Sequence, residues 1–369
     1  MSAAEEPKTA AVPSKTGSRY AVKAIVSLLI AGLFAWILHR GALPIFPERG
    51  AFATVSWWGI AGSAALWGAI YFVRAGRWYW LLAAVERVPL PTVLRIAFVG
   101  FGALVVLPLR TGEVVRPLLV HRTGKMSVWA ATGTVGAERI IDELALSALL
   151  LAALRLAPPL DPLPHRIGGL EVPTYLVPAA AYAFVGVFAV AFTIMMIFYW
   201  RRDWARRVTE AVLGKVSKKF ASFVADKVQI VADGLRFLPR ARYTAPFVLA
   251  TIVYWFGTAA SFWTLALSTG IPMSYAQAIA TMGVLGLGIL APNAPGFFGV
   301  FQLSLYAALA LYFPESLVIG KGATFVFVVY TIHVGAALLV GAVAALLEPT
   351  RIAESLGSEG LREGEAPPT

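Results

Sequence analysis

The chain has 369 residues, of which 59% are hydrophobic and only 14% charged, and its mean hydropathy is +0.74. That is far more apolar than a soluble domain, and no run of short alternating strands marks an outer-membrane barrel, so the composition reads as an all-α polytopic membrane protein. The absence of cysteine excludes disulfides and thiolate metal sites, and the net charge of +11 lies in loops between apolar spans, a pattern of membrane orientation and not of nucleic-acid binding.

Residues 1–19 are polar and read as a disordered N-terminal tail. Ala21–Leu38 is the first span; no small-residue cleavage site follows it, so it reads as an uncleaved helix. Val55–Val73 is the second, with Trp57, Trp58 and Tyr71 as interfacial anchors. Arg74–Arg87 is short, basic and aromatic, and reads as a surface segment. Val93–Leu107 then enters the membrane and breaks at Pro108. The return, Gly112–Val120, rises only about 14 Å at 1.5 Å per residue, well short of a ~30 Å hydrocarbon core. The simplest path is a re-entrant hairpin over 93–120. Val128–Leu156 and Val177–Trp200 are the third and fourth crossings, joined by a Pro- and Gly-rich loop, Ala157–Thr174. The first membrane half therefore covers 20–200.

Residues 201–242 hold eleven Lys/Arg against four Asp/Glu. Trp204, Val208, Val212, Val216 and Phe220 recur every four residues, and Phe223, Val224, Val231 and Leu235 continue the face. This is a basic amphipathic linker expected to lie on an anionic membrane surface. The second half covers 243–347. Ala245–Thr269 is the fifth crossing, and 275–313 forms a second re-entrant hairpin broken at Leu290–Gly296. Gly322–Leu347 is the sixth crossing, and 348–369 is a polar tail.

With the N-terminus cytoplasmic, 25 of the 31 Lys/Arg fall on the cytoplasmic side, five fall outside and Arg139 lies within a span. That asymmetry fixes the orientation, with both termini cytoplasmic. The first hairpin then enters from the cytoplasm and the second from outside. The breaks also match: Gly102 and Gly286 each lie six residues before Pro108 and Pro292, and Gly112 and Gly296 lie four after. The expected architecture is six full crossings plus two re-entrant hairpins in an inverted repeat, an arrangement that points to a transport site near the midplane.

The first break carries Arg110, Glu113 and Arg116. Thr111 reads as the N-cap of a return helix that starts near Gly112, so N–H groups and a positive helix end face the midplane. Glu113 and Arg116, three apart, can pair on one face. One reading makes the arginines an anion site; the plainer one has the three residues pair and hold the hairpin shut. The third span carries Glu138, Arg139, Asp142 and Glu143, and Arg139 can reach Asp142 or Glu143. Here too two readings stay open: headgroup binding with a titrating carboxylate, or a salt-bridge network tying this helix to the first hairpin. For Glu143 the network is preferred. At the second break, Pro295 and Gly296 start a helix and Asn293 caps it or touches substrate. His333 reads as a hydrogen-bonded packing residue. Gly283, Gly286 and Gly288 serve close helix packing. No catalytic residue, metal or cofactor is expected.

Leu107-Pro108-x-Arg110-x-Gly112-Glu113-x-x-Arg116, followed by Glu138-Arg139-x-x-Asp142, resembles the membrane region of the lysylphosphatidylglycerol synthase family. Pro292-x-x-Pro295-Gly296-x-x-Gly299-Val300 resembles its second signature. The resemblance covers nearly all of 20–347. It implies movement of phospholipids, glycolipids or isoprenoid lipids between leaflets of a bacterial or archaeal cytoplasmic membrane. Bifunctional members of the family add a soluble aminoacyl-transfer domain, and the 348–369 tail is too short to be one. Gln302 stands where the family commonly has Glu, and Tyr330 where the last span often has Arg. The expected function is a lipid translocase, with Arg110, Arg116 and Arg139 on phosphate and Glu113, Glu138 and Asp142 positioning them. The alternatives are an enzyme acting on a lipid headgroup and a non-transporting partner subunit. Expected partners are membrane lipid and the anionic surface; no nucleic acid is expected, and a homo-oligomer is allowed.

Overall fold

The computed structural model describes residues 15–347 except 125, 172–173, 215–216, 218–220, 227–229, 231–232 and 292–293, with backbone alone at 15–24, 27, 108–110, 202 and 205. The tail 348–369, the first fourteen residues, Pro292 and Asn293 lie outside the described residues, as do the linker positions Val216, Phe220 and Val231 and the side chains of Pro108 and Arg110.

The chain is helical almost throughout. Long helices α1 (Lys15–Arg40), α2 (Trp57–Val85), α5 (Val128–Leu156) and α6 (Leu176–Trp200) belong to the first half. Between α2 and α5 lie α3 (Leu90–Val106), a 3-10 segment (Pro108–Val114) and the short α4 (Val115–Arg122). The linker contains α7 (Arg202–Leu213). The second half comprises α8 (Ala241–Ser268), α9 (Tyr275–Gly288), a 3-10 turn (Pro295–Phe297), α10 (Val300–Ala310), the short α11 (Glu315–Ile319) and α12 (Lys321–Leu346). Two residue pairs, Arg166–Ile167 and Leu170–Glu171, form a small antiparallel ladder in the loop before α6. By length and composition, α6, α8 and α12 can each cross a membrane.

One sequence expectation is overturned at once. Arg74–Arg87 is not a surface segment. Its Arg74–Val85 stretch continues α2, a 29-residue helix whose N-cap Ser56 accepts from Gly59 N. Tyr71, Ala75, Trp78 and Leu82 are all buried, at helical spacing along one face. The charges at 74 and 77 had marked an end to the apolar run, yet the periodicity runs through them. Removing Arg74 and Arg77 from the cytoplasmic count leaves 23 basic residues against five, so the asymmetry survives.

Both broken segments fold back on themselves. In the first, Gly100 packs on the stem of Arg116 and Gly112 on the backbone at Ala103 and Leu104, so α3 and the return run antiparallel. The return does not start as foreseen. Residues 108–114 form a 3-10 segment, α4 starts only at Val115, and neither has a side-chain N-cap. Thr111 is therefore not the cap, and an eight-residue helix offers little macrodipole. In the second segment, Ser274 and Gln277 form a capping box at the start of α9. The return helix begins at Val300 instead of Pro295. Gly299 stands before it at φ 86°, a conformation that glycine tolerates, and its N–H donates to Gln302 Oε1 at 2.7 Å. Gln302 thus closes a helix end with a neutral amide.

The halves pack as exchanged copies. The most extensive contact joins α2 and α8, whose Ser63–Ser261 and Arg77–Thr251 contacts run in opposite order, so the helices are antiparallel. Then α3 packs on α12, and its counterpart α9 packs on α5. The matched glycines lie at these two crossings. A Cβ on Gly102 would sit 2.9 Å from Gly341 Cα, and one on Gly286 would collide with Leu146. α7 shows Trp204, Val208 and Val212 exposed along one face.

Candidate functional site

The site grows from α5. Glu138 and Asp142 lie one turn apart on the face toward α2. Arg139 and Glu143, one position on, face a different neighbour. α2 answers the first pair with Arg77. Its guanidinium forks onto Asp142, with Nη1 2.6 Å from Oδ1 and Nη2 on Oδ2, and Nη2 is also 3.2 Å from Glu138 Oε1. From α4, Arg116 Nη2 donates to Glu138 Oε2 at 2.6 Å. The four groups are between 1% and 6% exposed. Two positive and two negative charges thus form a closed, neutral lattice. Aromatic faces line it: Arg116 lies 4.1 Å over Trp78, and Arg77 lies 4.6 Å over Tyr254. Trp78 is pinned by a 3.1 Å bond from Nε1 to Thr134. The Arg116 stem passes where a side chain at Gly100 would stand.

Arg139 pairs with Glu113 at 3.4 Å, at the edge of the lattice, where both are partly exposed. The expected Glu113–Arg116 pair is not formed, and neither is a link from Arg139 to Asp142. α5 presents Glu138 and Arg139 to the first hairpin together. The buried carboxylate takes the arginine that can reach it past Gly100, and Arg139 takes the glutamate nearer solvent. α5 is tied to the hairpin by two ion pairs and to α2 by a fork.

Beside the lattice lies a cavity of about 140 Å³ where the two halves meet. α2 contributes Trp67, Tyr71 and Arg74; α5 contributes Arg139 and Glu143; α8 contributes Tyr254 and Trp255. Gly286, Phe297, Phe301 and His333 close it from the second half. Arg74 stands over Phe101 at 4.5 Å, with Tyr254 and Tyr71 at 5.7 and 5.8 Å. Among the described residues no carboxylate forms a salt bridge with it. His333 stacks on Trp67 with ring centroids 3.6 Å apart, and its Nδ1 bonds Val329 O at 2.8 Å. Among the described residues, no three His, Asp or Glu side chains group as a metal ion requires.

Arg116, Glu138 and Asp142 therefore come together in the buried lattice, and Glu113 joins Arg139 at its rim. Among the described residues expected from the sequence to bind substrate, Arg139 lines the cavity, and Glu143, Gly286 and His333, read from the sequence as pairing or packing residues, line it as well. Gly112 makes the tight turn of the first hairpin. Pro295 and Gly296 form the turn beneath Tyr330, whose Oη lies where a Cβ at 296 would meet it at 2.9 Å. Sequence reasoning missed Arg74 and Arg77. The signal was available: Tyr71, Arg74, Trp78 and Leu81 repeat at three- and four-residue steps.

The family model described as lysylphosphatidylglycerol synthase TM region matches residues 21–337. The chain belongs to that family. Neither a curated protein nor a solved structure matches it. Family membership makes this chain a membrane-embedded, multi-pass protein related to lipid-headgroup-modifying or flippase-like proteins. In this chain Arg116, Glu138 and Asp142 hold helices together, and the cavity lies next to them.

Proposed function

We propose that the chain is a lipid translocase of a cytoplasmic membrane, passing a polar headgroup through the cavity between its halves and performing no chemistry on it. In this reading α1, α2, α5, α6, α8 and α12 cross the bilayer, both broken segments are re-entrant, and the termini are cytoplasmic. The exposed apolar face of α7 rests on the anionic surface. Arg74 and Arg139 receive the anionic part of the headgroup. The Arg77–Asp142–Glu138–Arg116 lattice keeps α2, α4 and α5 in register around it.

The observation that carries the reading is Arg74. An arginine inside a membrane protein is costly unless paired, and such residues mark substrate paths. Arg74 stands on aromatic rings at the wall of a cavity formed by both halves, with no described carboxylate in salt-bridge range. The test is scrambling of fluorescent phospholipid in proteoliposomes, read by dithionite quenching. Arg74→Gln is expected to slow exchange by about tenfold or more, the worth of one charge-assisted hydrogen bond. Arg139→Gln is expected to slow it as well, and both variants should melt like the parent. Parent-like exchange in both variants, or no exchange by the parent above empty liposomes, would overturn the proposal.

A further inference from the structure

Most joints around the cavity are firm. The ion lattice ties α2, α4 and α5 together, and Ser63 on α2 bonds Ser261 on α8. Glycine crossings press α3 onto α12 and α9 onto α5. The two halves also meet at the hairpin tips, where α3 touches the Pro295–Phe297 turn. The cavity wall reaches this seam from both sides, with Leu104 and Val105 before the first break and Phe297 and Phe301 around the second.

α1 lies across the seam. It packs on the Pro108–Val114 segment of the first tip, and its Phe34 fills the place where a side chain at Gly299 of the second tip would stand. None of its described residues lines the cavity, and its outer face is apolar and exposed, so it covers the tips from the lipid side.

The attachment of α1 is uneven. At its C-terminal end Leu38 is fully buried, Gly169 N donates to Gly41 O at 2.9 Å, and Tyr306 Oη donates to Pro44 O at 2.6 Å. Toward its N-terminus Leu28 and Leu29 are 70% and 68% exposed. Among the described residues, no α1 side chain forms a hydrogen bond or ion pair with another helix. Lipid tails are as apolar as such side chains and replace their contacts with little loss. α1 can therefore part from the tips at low cost while its anchored end stays in place. Parting the lattice would instead strand buried charge.

We propose that α1 is a lateral gate: Phe34 seated on Gly299 latches it over the seam, and its N-terminal half swings away to open a slot toward the bilayer. The inference rests on the translocase reading above and names its moving part. A headgroup held in the cavity stays bonded to acyl chains that belong in hydrocarbon, so its path needs a side opening. The other joints between the halves are closed by hydrogen bonds or by glycine-mediated close packing. The seam between the tips carries the apolar, one-ended cover.

The experiment bridges Phe34→Cys/Phe298→Cys with a short bifunctional thiosulfonate, in a chain with no other cysteine. Exchange of fluorescent phospholipid in proteoliposomes is read by extraction into albumin, which leaves the bridge intact. The bridge is expected to slow exchange at least about tenfold, and dithiothreitol to restore it. A bridge at the anchored end, Gly41→Cys/Leu170→Cys, should leave the parent rate. Phe34→Ala, which removes the latch, should speed exchange at least about twofold. Melting temperature shows that each variant is folded. Undiminished exchange across the 34–298 bridge, or equal slowing by both bridges, overturns the gate and leaves the translocase reading standing. Failure of the 34–298 pair to bridge, seen by intact mass, overturns the gate as well. So does slower exchange by a folded Phe34→Ala. No exchange by the parent above empty liposomes overturns both.

Discussion

Glu138→Gln is the sharpest perturbation of the buried lattice. Glu138 is 3% exposed, and its two oxygens serve two arginines, Arg116 at 2.6 Å and Arg77 at 3.2 Å. In the variant Arg77 keeps its fork on Asp142. Arg116 keeps no carboxylate partner, only aromatic faces and the glutamine amide, at 5% exposure. At the 2.6 Å separation and an effective dielectric of about 20, the Arg116–Glu138 attraction is about 6 kcal/mol. The glutamine amide oxygen can still accept a hydrogen bond, which recovers part of this. The stranded guanidinium is then expected to cost about 3–5 kcal/mol, the usual loss on breaking a buried pair from one side. Arg116→Met in the same chain removes the unpaired charge and should restore most of the loss, because deleting both members of a buried pair is close to neutral. The assay is thermal unfolding in nanodiscs, followed by helical circular dichroism, on the parent, both single variants and the double. If Glu138→Gln melts with the parent, or if the double variant falls below both singles, the two residues are not a coupled buried pair and the reasoning fails.

The α3–α12 crossing gives a second test. Gly102→Leu would press into Gly341 Cα and should cost about 1–3 kcal/mol, whereas Gly136→Ala, which meets nothing within 4 Å, should be neutral or stabilising by up to about 1 kcal/mol in the same melts. Because the chain has no cysteine, Glu48→Cys, His165→Cys and Asp203→Cys can each be labelled without background. A membrane-impermeant maleimide added to intact cells should label the first two and not the third; labelling of Asp203→Cys from outside would break the proposed topology.

Composition and periodicity were enough to read the class of the fold. The two breaks were legible because proline, glycine and charge interrupt long apolar runs at matching positions. What stayed hidden was partner choice. A one-turn spacing shows that Glu138 and Asp142 share a face but not which helix meets that face. Arg77 came from a segment whose charges had disguised it as a surface segment. Local pairing also misled: Glu113 and Arg116 are close in sequence, yet each found a better partner on α5, where a buried carboxylate needed a cation. The same holds for His333. Its stacking on Trp67 joins α12 to α2, more than 260 positions away in sequence, and no local pattern encodes that.

The two halves share a frame but not a chemistry, and the difference has a physical reason. Gly102 and Gly286 hold matching places before their breaks and lie at matching crossings. After the first break come Glu113 and Arg116. At the second, Gln302 caps Gly299 and Tyr330 covers Gly296, with no charge used. Each ion taken from water costs several kcal/mol before its partner offsets it, so a second lattice would add a large burden. A neutral amide satisfies the same backbone N–H for far less. The consequence concerns motion. A forked, buried ion lattice resists separation, because parting the ions exposes uncompensated charge. Neutral caps and aromatic contacts can exchange partners at low cost. Where the halves move to pass a headgroup, α2, α4 and α5 are expected to move as one body and the 275–310 segment to shift against them. Spin-label distances from α5 to α9 should then change with added lipid while those from α2 to α5 stay fixed; the reverse pattern would place the mobile element in the first half and refute this division.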